Sequence, residues 1–433
     1  MITLKEINEK RIPISEVFHA KKEKVEVAGW ADNVRELGKI RFLVLRDLSG
    51  MIQVTAVKDK VKKEIFDELG KISRESVVYV SGSVKEAKQA PGGKEIVPEQ
   101  IEILNSAEEN LPIDVSDFSK TELPKRLDFR FLDLHRKRIQ AIFKIQSTIA
   151  ATFIQYFVNK GFMYIQPPSI ISSSSEGGTE LFPVQYFEKK AFLAQSPQLY
   201  KQMVACAVEK VVTVTPVWRA EKHNTVRHLN ESRQMDIEVA FADQFSIMKF
   251  LEEVVQDIVK NVIEKNKADL ELIGVKLRVP KGIYLSYDEA MKKLGVKPGE
   301  DLTPDQEKKL CEMHEGDIVF VHSWPTNLRG FYIMRKDADA NARLTEGFDA
   351  LYKGVEISSG GQRIHIPELL IKMLKKKGLN PDNFEHYIDS FRYGAPPHAG
   401  WSIGLERFTT TLLGLSNIRE AVLFPRDRDR LIP

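Results

Sequence analysis

The sequence predicts an α+β protein in which a small β-barrel precedes a larger domain of strands and long helices. Residues 24–105 contain five short runs rich in Val and Ile, with one helical stretch between the third and the fourth. From residue 139 onward, apolar residues recur at helical spacing between strand-like runs. The 433 residues are also too many for a single core of ordinary size, so two or three domains are expected.

The five N-terminal strands are expected at residues 25–31, 41–46, 51–57, 77–84 and 95–104, with a helix at 60–69. Asp47 and Gly50 bound a turn signal between the second and third strands. Five strands with a helix in this place are the pattern of the OB-fold, a small barrel that binds oligonucleotides. Other five-stranded folds would produce the same pattern, so the alternatives stay open at this point.

The rest of the chain divides into a hinge and a second domain. Residues 106–135 are polar and broken by Pro112 and Pro124, which favours a hinge after a barrel at 1–105. Residues 136–433 are expected to form the second domain, with a less regular insertion at about 276–340 packed on its sheet. Helices are predicted at 139–159, 249–267, 369–377 and 381–391.

Bulk composition excludes several classes of protein. A hydrophobic content of 42% and a charged content of 29% are typical of soluble globular proteins. The net charge of +3 means that any nucleic-acid site must be a local basic patch. Cys206 and Cys311 are too few for a disulfide framework or a thiolate zinc site. Without a signal-like or membrane-spanning apolar run, a cytoplasmic protein with no membrane span is expected.

The first candidate for chemistry is a helix opened by Ser196 and Pro197, which suit the N-cap and the first helical position. Gln198 and Lys201 then lie on one face of this helix, at i and i+3. An amide and a cation in this arrangement suit the carboxylate of a small acid. The alternative is a solvated helix face.

The second candidate is a strand at residues 212–221, followed by the loop 222–230 and a return strand at 234–241. Strand alternation places Arg219 and Glu221 on the same side. The loop carries His223, Arg227 and His228, a combination that suits a triphosphate and an RNA end. A simple salt bridge between Arg219 and Glu221 is the alternative.

The third and fourth candidates lie near the C-terminus. Asp349, Glu356 and Ser359 offer the hard oxygen ligands that magnesium prefers, and Arg363 can bind a carboxylate with two hydrogen bonds. A glycine-rich strand then runs through Gly404 into a helix with Arg407 near its start, where the helix dipole favours phosphate.

Together, these four stretches in this order resemble the class II aminoacyl-tRNA synthetases, and they are most similar to aspartyl-tRNA synthetases of the archaeal type. The resemblance covers essentially the whole chain. It implies an OB-fold anticodon-binding domain, a hinge, and a catalytic domain with an antiparallel β-sheet flanked by helices. Residues 139–171, with Pro168, match the family's first motif, which implies a twofold homodimer.

The resemblance also implies a role for individual residues. The catalytic residues would be Arg219, Arg407 and Glu356. The ATP-binding residues would be Arg219, Glu221, Arg227, His228, Leu229, Glu356, Gly404 and Arg407. L-Aspartate would contact Glu176, Gln198, Lys201, Arg219, Asp236, Ser359 and Arg363. Mg²⁺ would be held by Glu356, Ser359 and Asp349, and the anticodon by Phe42, Gln53 and Glu95.

The expected function is therefore ATP-dependent ligation of L-aspartate to the 3′ end of tRNA(Asp) through aspartyl-adenylate. Asp32 and Pro91 align with positions at which archaeal-type enzymes restricted to tRNA(Asp) tend to carry Trp and Lys. Neither residue is kept here, and Pro91 resembles the enzymes that also charge tRNA(Asn). Ser232 departs from the family, since many members place Phe there, against adenine. The alternatives are an asparaginyl enzyme, a relative that makes free asparagine, and a non-catalytic RNA-binding protein.

Overall fold

The computed structural model describes residues 2–19, 24–172 and 180–432. Its contacts divide the chain into two compact units, Met1–Pro112 and Ile113–Pro433. The domain boundaries expected from the sequence, at 105 and 135, stay predictions. Within the expected hinge, residues 123–133 form two short helices, and their Arg130 and Asp133 are fully buried in the second unit.

In its described part, the first unit is a closed five-stranded barrel preceded by two short helices. Its elements are α1 (Leu4–Lys10), α2 (Ile14–Val17), β1 (Lys24–Leu37), β2 (Ile40–Arg46), β3 (Met51–Val57), α3 (Lys63–Leu69), β4 (Val77–Glu86) and β5 (Lys94–Asn105). The strands follow each other around the barrel in the order β1-β2-β3-β5-β4. With α3 between β3 and β4, this is an OB-fold, as predicted.

Alternation along the strands separates an apolar interior from a polar exterior. Leu43 and Val54 point into the barrel core, whereas their neighbours Phe42 and Thr55 lie outside it. The predicted turn between β2 and β3 is confirmed, because the Asp47 carboxylate accepts hydrogen bonds from the backbone of Ser49 and Gly50. All five strands form, but β1 continues six residues beyond its expected end at 31.

The second unit contains the remaining helices and strands. Its elements are α4 (Leu123–Asp128), α5 (Arg130–Asp133), α6 (Lys137–Asn159), β6 (Met163–Tyr164), β7 (Ile170–Ile171), β8 (Pro183–Tyr186), β9 (Lys189–Leu193), α7 (Gln198–Val208), β10 (Lys210–Trp218), β11 (Glu231–Ala240), α8 (Gln244–Lys265), α9 (Lys267–Ile273), β12 (Gly282–Ser286), α10 (Tyr287–Leu294), α11 (Pro304–Glu312), β13 (Ile318–His322), β14 (Gly347–Tyr352), β15 (Val355–Gln362), α12 (Pro367–Lys376), α13 (Glu385–Arg392), β16 (His398–Gly404) and α14 (Leu405–Leu413).

A large sheet organises this unit, with its described strands in the order β12-β13-β14-β15-β16-β11-β10-β6. Neighbouring strands are antiparallel except at the two ends, where β12 pairs with β13 and β6 pairs with β10 in parallel. One face of the sheet is apolar. There Ile237, Phe348 and Trp401 join the main core with residues of α6 and α8. A smaller antiparallel sheet has the order β7-β9-β8.

Among the described residues, helix α6 is long and apolar enough, by length and composition alone, to cross a membrane. Its apolar residues recur three or four positions apart, and Ile145, Ile149 and Phe153 are fully buried in the main core. The helix packs against α8, α9 and α14. These contacts are those of a core helix in a globular protein.

Several element predictions need correction. The strand expected at 212–221 ends at Trp218, so Arg219 and Glu221 lie beyond it. The helix expected to be capped by Ser196 has Pro197 at its N-cap. The region 276–340, expected to pack on the sheet, instead contributes β12 and β13 to the sheet itself.

Candidate active site

The second face of the large sheet is polar, and it forms the floor of the candidate site. Antiparallel register places Gln234 opposite Gly404, and Asp236 opposite Ser402. Ser402 is in turn opposite Ser359 on β15, and Ser359 is opposite Asp349 on β14. Because residues directly opposite in a ladder share a face, these side chains project to the same side, away from the main core.

Four charged side chains from three parts of the chain meet on this polar face: α7, β11 and the residue after β15. Lys201 Nζ of α7 lies 2.6 Å from Asp236 Oδ1 and 3.5 Å from Glu238 Oε2. Arg363, just after β15, reaches the two oxygens of Glu238 at 2.8 and 3.3 Å. No member of this charge cluster is more than 2% exposed. Two cations are therefore paired with two carboxylates, and all four side chains are almost fully buried.

The two carboxylates of the charge cluster titrate differently. Burial raises the pKa of Asp236 above its ordinary value, and the opposing attraction of Lys201 does not fully offset this effect. Burial would also raise the pKa of Glu238, but the charges of Arg363 and Lys201 hold it below the ordinary value. Glu238 is therefore the firmly ionised member of the pair.

A second layer of neutral polar groups supports the charge cluster. The Gln202 amide oxygen accepts hydrogen bonds from Gln198 Nε2 at 2.7 Å and from the Tyr387 hydroxyl at 2.8 Å. Gln202 Nε2 lies 2.8 Å from His398 Nε2. Burial lowers the pKa of His398. A neutral imidazole can accept the Gln202 hydrogen, so this buried network is satisfied without a further charge.

The end of β10 and the following loop are held by Asn230. Its side-chain amide donates to the carbonyl oxygens of Arg219 at 2.7 Å and Glu221 at 3.0 Å. The carboxylate of Glu221 lies 3.5 Å from His228 Nε2. Arg419 fastens the loop from outside by donating to the Thr225 carbonyl at 3.1 Å. The basic loop is thus anchored at both its base and its tip.

The candidate magnesium ligands occupy one face because of a β-bulge. Residues 356 and 359 would point to opposite faces of a regular strand. The register between β14 and β15 shifts after Ala350, so that Glu356 is opposite Leu351 and Ser359 is opposite Asp349. The extra residue therefore brings Glu356 and Ser359 to the face of Asp349, as bulges near functional sites commonly do.

The electrostatics of these carboxylates favour a nearby cation. Burial, followed by the charge of Asp349, raises the pKa of Glu356 to about 7. Burial also raises the pKa of Asp349, although Arg329 donates to its carboxylate, with Nη1 at 3.0 Å from Oδ1. Two hard carboxylates and a hydroxyl on one face are a donor set that fits Mg²⁺.

Arg407 and Glu406 lie in the first turn of α14. Arg407 Nη1 donates to the backbone oxygen of Glu356 at 3.3 Å, which ties this arginine to the magnesium candidates. Glu406 accepts the backbone N–H of Arg233 with both oxygens, at 3.1 and 2.9 Å. Burial raises the pKa of Glu406 to about 7.

A cavity of about 370 Å³ opens above the polar face of the sheet, and most of the predicted residues line it. These are Gln198, Arg219, Glu221, Arg227, His228, Leu229, Asp236, Ser359, Arg363, Gly404 and Arg407. Lys201, Asp349 and Glu356 are not part of its wall, although Lys201 contacts Asp236, which is. Glu176 lies outside the described residues.

Sequence reasoning missed several residues of the site. Glu238 lies two positions after Asp236 on β11. A charged residue within this apolar run was the sequence feature that could have identified it as a site residue. Arg329, Tyr332 and Glu406 also line the cavity. Arg329 comes from the region that was expected to be irregular, and the sequence around it carries no periodicity to place it. Ser232, the departure from the family, lines the cavity too.

The predicted anticodon residues form one cluster on the outside of the barrel. Gln53 Nε2 donates to the Glu95 carboxylate at 3.0 Å, and Thr55 donates to the same oxygen at 2.6 Å. Thr55 is directly opposite Phe42, whose ring is half-buried and lies 6.0 Å from the Arg35 guanidinium carbon.

The two residues aligned with tRNA discrimination are located separately. Asp32 is the extra residue of a bulge in β1, and its carboxylate accepts from Arg46 Nε at 3.3 Å. Pro91 is exposed at the start of a 3₁₀ turn between β4 and β5.

Two family models match the chain. The family model described as "tRNA synthetases class II (D, K and N)" matches residues 122–428, and the one described as "OB-fold nucleic acid binding domain" matches residues 25–104. The chain belongs to the class II tRNA synthetases. Among curated relatives, "Aspartate--tRNA(Asp/Asn) ligase" of Methanocaldococcus jannaschii is 45% identical over 95% of both chains, and that of Methanothermobacter thermautotrophicus is 46% identical over the same shares.

Solved structures of class II synthetases resemble the whole chain. The asparaginyl-tRNA synthetase of Pyrococcus horikoshii, complexed with asparaginyl-adenylate, has a TM-score of 0.92 and 34% identity, over 98% of this chain and 100% of that one. A putative aspartyl-tRNA synthetase of Leishmania major has a TM-score of 0.91 and 30% identity, over 100% and 97%. The predicted fold class and family are therefore confirmed.

Proposed function

We propose that this synthetase ligates L-aspartate to the 3′ end of tRNA(Asp) through an aspartyl-adenylate formed from ATP. The observation that carries the proposal is a single cavity in which three arginines of the predicted ATP site, Arg219, Arg227 and Arg407, share a wall with Asp236 and Arg363. One pocket can therefore hold a triphosphate beside a small zwitterionic acid. The identity of the curated relatives supports the same activity.

The triphosphate half of the cavity is basic. Arg219 would contact the α-phosphate, and Arg227 and His228 would contact the β- and γ-phosphates. Arg407 would hold the γ-phosphate and cover the adenine, while Glu221 would contact the adenine or the tRNA end. Leu229 and Gly404 complete the wall. Catalysis would then consist of holding the aspartate carboxylate in line with the α-phosphorus and stabilising the developing charge.

The amino-acid half is built on the charge cluster. Asp236 would bind the α-ammonium group together with Gln198 and Glu176, and Arg363 would bind the side-chain carboxylate. Lys201 would add positive charge from behind Asp236 while it holds Asp236 and Glu238 in place. Ser359 faces the same space from β15.

Mg²⁺ fits the face that carries Asp349, Glu356 and Ser359, with Glu356 and Ser359 as the first candidates because Arg329 already engages Asp349. When bound there, the ion would neutralise phosphate charge during adenylate formation. The protein's own part is to keep Glu356 and Arg407 in register through the hydrogen bond between them.

Recognition of tRNA is proposed for the outer face of the barrel. Phe42 would stack on an unpaired anticodon base, and Gln53 and Glu95 would read base edges. We further propose that the enzyme charges tRNA(Asn) as well, a proposal supported by the names of its relatives and by the residues at 32 and 91. A cytoplasmic homodimer is proposed too. Exposed Met163 and Ile170 within the first motif support that interface.

Arg219→Ala tests the central proposal. Removing a cation that acts on the transferred charge should lower aspartate-dependent ATP–pyrophosphate exchange by about 10²–10³-fold while the melting temperature stays near that of the parent. Arg392→Ala, which alters a surface ion pair with Asp389, is the matched control and should leave exchange unchanged. Exchange that survives in Arg219→Ala would remove this residue from the mechanism.

L-Asparagine is the second candidate substrate, because the pairing of both buried cations with carboxylates leaves less positive charge for an incoming side chain. Exchange assays with each amino acid separate the two. Charging of tRNA(Asp) and tRNA(Asn) transcripts then tests the proposed breadth. Charging of tRNA(Asn) at under about a hundredth of the tRNA(Asp) rate would reject it.

A further inference from the structure

The second unit, Ile113–Pro433, is called the catalytic unit from here on. A second cavity of this unit lies outside the active site and is strongly basic. Its volume is about 660 Å³. It is lined by Pro298, Gly299, Pro325, Thr326, Asn327, Arg335, Arg343, Met373, Lys376 and Lys377, and we call it the Arg335 cavity. It shares no lining residue with the ATP and aspartate cavity, and no Asp or Glu of the described chain is among its lining residues.

Arg335 is the unusual residue of this cavity. It is only 1% exposed, and Nη1 donates to the carbonyl oxygens of Ile333 at 2.7 Å and Gly330 at 3.3 Å. Its Nε has no hydrogen-bond partner, and across residues 2–19, 24–172 and 180–432 no carboxylate lies within 4.0 Å of its guanidinium. Burial alone lowers the pKa of Arg335 to about 10. A buried cation without a counter-charge is costly, which indicates that an anion completes the site.

With one exception, the other cations of the cavity also lack a carboxylate within ion-pair distance among the described residues. Lys377 Nζ donates to the Asn327 carbonyl at 3.2 Å, and Lys376 Nζ donates to the Ala340 carbonyl at 2.7 Å and to Asn341 Oδ1 at 3.0 Å. Burial and the charge of Arg335 both lower the pKa of Lys377. Among the residues that the structure describes, Arg343 alone of these cations has a carboxylate partner, Asp288 at 2.7 Å.

We propose that the Arg335 cavity binds a phosphate group. A tetrahedral oxyanion offers several acceptors at once, which suits a forked guanidinium and two flexible ammonium groups better than a single planar carboxylate does. The Arg335 guanidinium and the Lys377 ammonium, both in the lining, would each donate to it. The phosphate belongs either to an RNA backbone or to a free inorganic anion. Its assignment to tRNA rests on the proposed function.

The test compares Lys376→Gln/Lys377→Gln with Lys375→Gln. All three lysines lie at the C-terminal end of α12 or directly after it, so both variants remove positive charge from the same end of the helix. Lys375, however, does not line the cavity. Inorganic phosphate binding is measured by calorimetry, and binding of the tRNA(Asp) transcript by filter retention over a range of salt concentrations. Arg335→Gln is a second variant, and because it removes a buried group its melting temperature is measured first.

The double variant should weaken phosphate binding at least about tenfold, and Lys375→Gln should not. If the phosphate belongs to tRNA, the double variant also binds the transcript more weakly, and the salt dependence of log K falls by about 1. Lost phosphate binding with unchanged tRNA binding would support the site with a free anion as its ligand.

Three results would overturn the proposal: unchanged phosphate binding in the double variant, an equal loss in Lys375→Gln, or no measurable phosphate binding by the parent protein. Aspartate-dependent exchange should be unchanged in the double variant. A parent protein without that exchange refutes the proposed function, whereas phosphate binding still decides the Arg335 cavity.

Discussion

The buried charge cluster makes the sharpest test of how this site is held together. Glu238 is fully buried, and Arg363 supplies its two closest hydrogen bonds. In Arg363→Met, the single cation Lys201 is left to compensate both Glu238 and Asp236. Breaking a buried pair by removing one partner costs about 3–5 kcal/mol, because the remaining charge stays out of water. We expect Arg363→Met to destabilise the catalytic unit by about that amount.

The reciprocal change isolates the interaction. Glu238→Gln leaves Arg363 without a counter-charge but keeps one carbonyl acceptor, so its cost should lie near the lower end, about 3 kcal/mol. The double variant removes both charges and leaves Lys201 paired with Asp236 alone. We expect it to be more stable than the sum of the single effects predicts, by about 2–3 kcal/mol.

Urea unfolding monitored by tryptophan fluorescence measures these free energies. Trp218, Trp324 and Trp401 belong to the catalytic unit, and Trp30 belongs to the barrel unit. A Trp30→Phe background therefore makes the signal specific for the unit that carries the substitutions. Single costs that add within about 0.5 kcal/mol in the double variant would refute the coupling between Arg363 and Glu238.

Three further predictions concern other parts of the molecule. Burial raises the pKa of Glu406 from 4.5 to about 7, so this group contributes stability below pH 4.5 that is lost as the pH rises to about 7. Glu406→Gln should remove about 3 kcal/mol of that pH dependence in unfolding titrations, and an unaltered profile would contradict it. Gly400→Ala should lower the melting temperature and abolish exchange, because its Cβ would lie 2.1 Å from Glu238 Oε2. Gly404→Ala, with 3.5 Å of clearance, is the control for the melting temperature, and an equal drop in both variants would contradict the steric reason. Phe42→Ala should weaken tRNA binding by about 1–3 kcal/mol without altering exchange, and unchanged binding would exclude stacking by this ring.

The order and type of most elements follow from local sequence. Strands β2 and β3 and helix α6 lie within two residues of their expected bounds, since their apolar periodicity is regular and their turn residues are strong. Strand β1 was predicted too short because the bulge at Asp32 interrupts its alternation. Likewise, β12 and β13 were missed because strands of only five residues carry little periodic signal.

The candidate site likewise contains residues that the sequence could predict and contacts that it could not. Motif order alone was sufficient to select Arg219, Arg227 and Arg407, which the fold brings to one cavity from the loop after β10 and from α14. Sequence spacing could not predict that Lys201 is buried in contact with Asp236. Partners separated by 35 residues meet only when the sheet and α7 are packed together.

The sequence by itself determined the family, the OB-fold and the polar and apolar faces of the strands, because motif residues and alternation are local properties of the chain. Tertiary structure alone decided which charges neutralise each other: Glu238 pairs with Arg363 in the site, whereas no carboxylate of the described residues pairs with Arg335 in the second cavity. Charge compensation depends on distance and burial, and both are properties of packed elements rather than of neighbours in sequence.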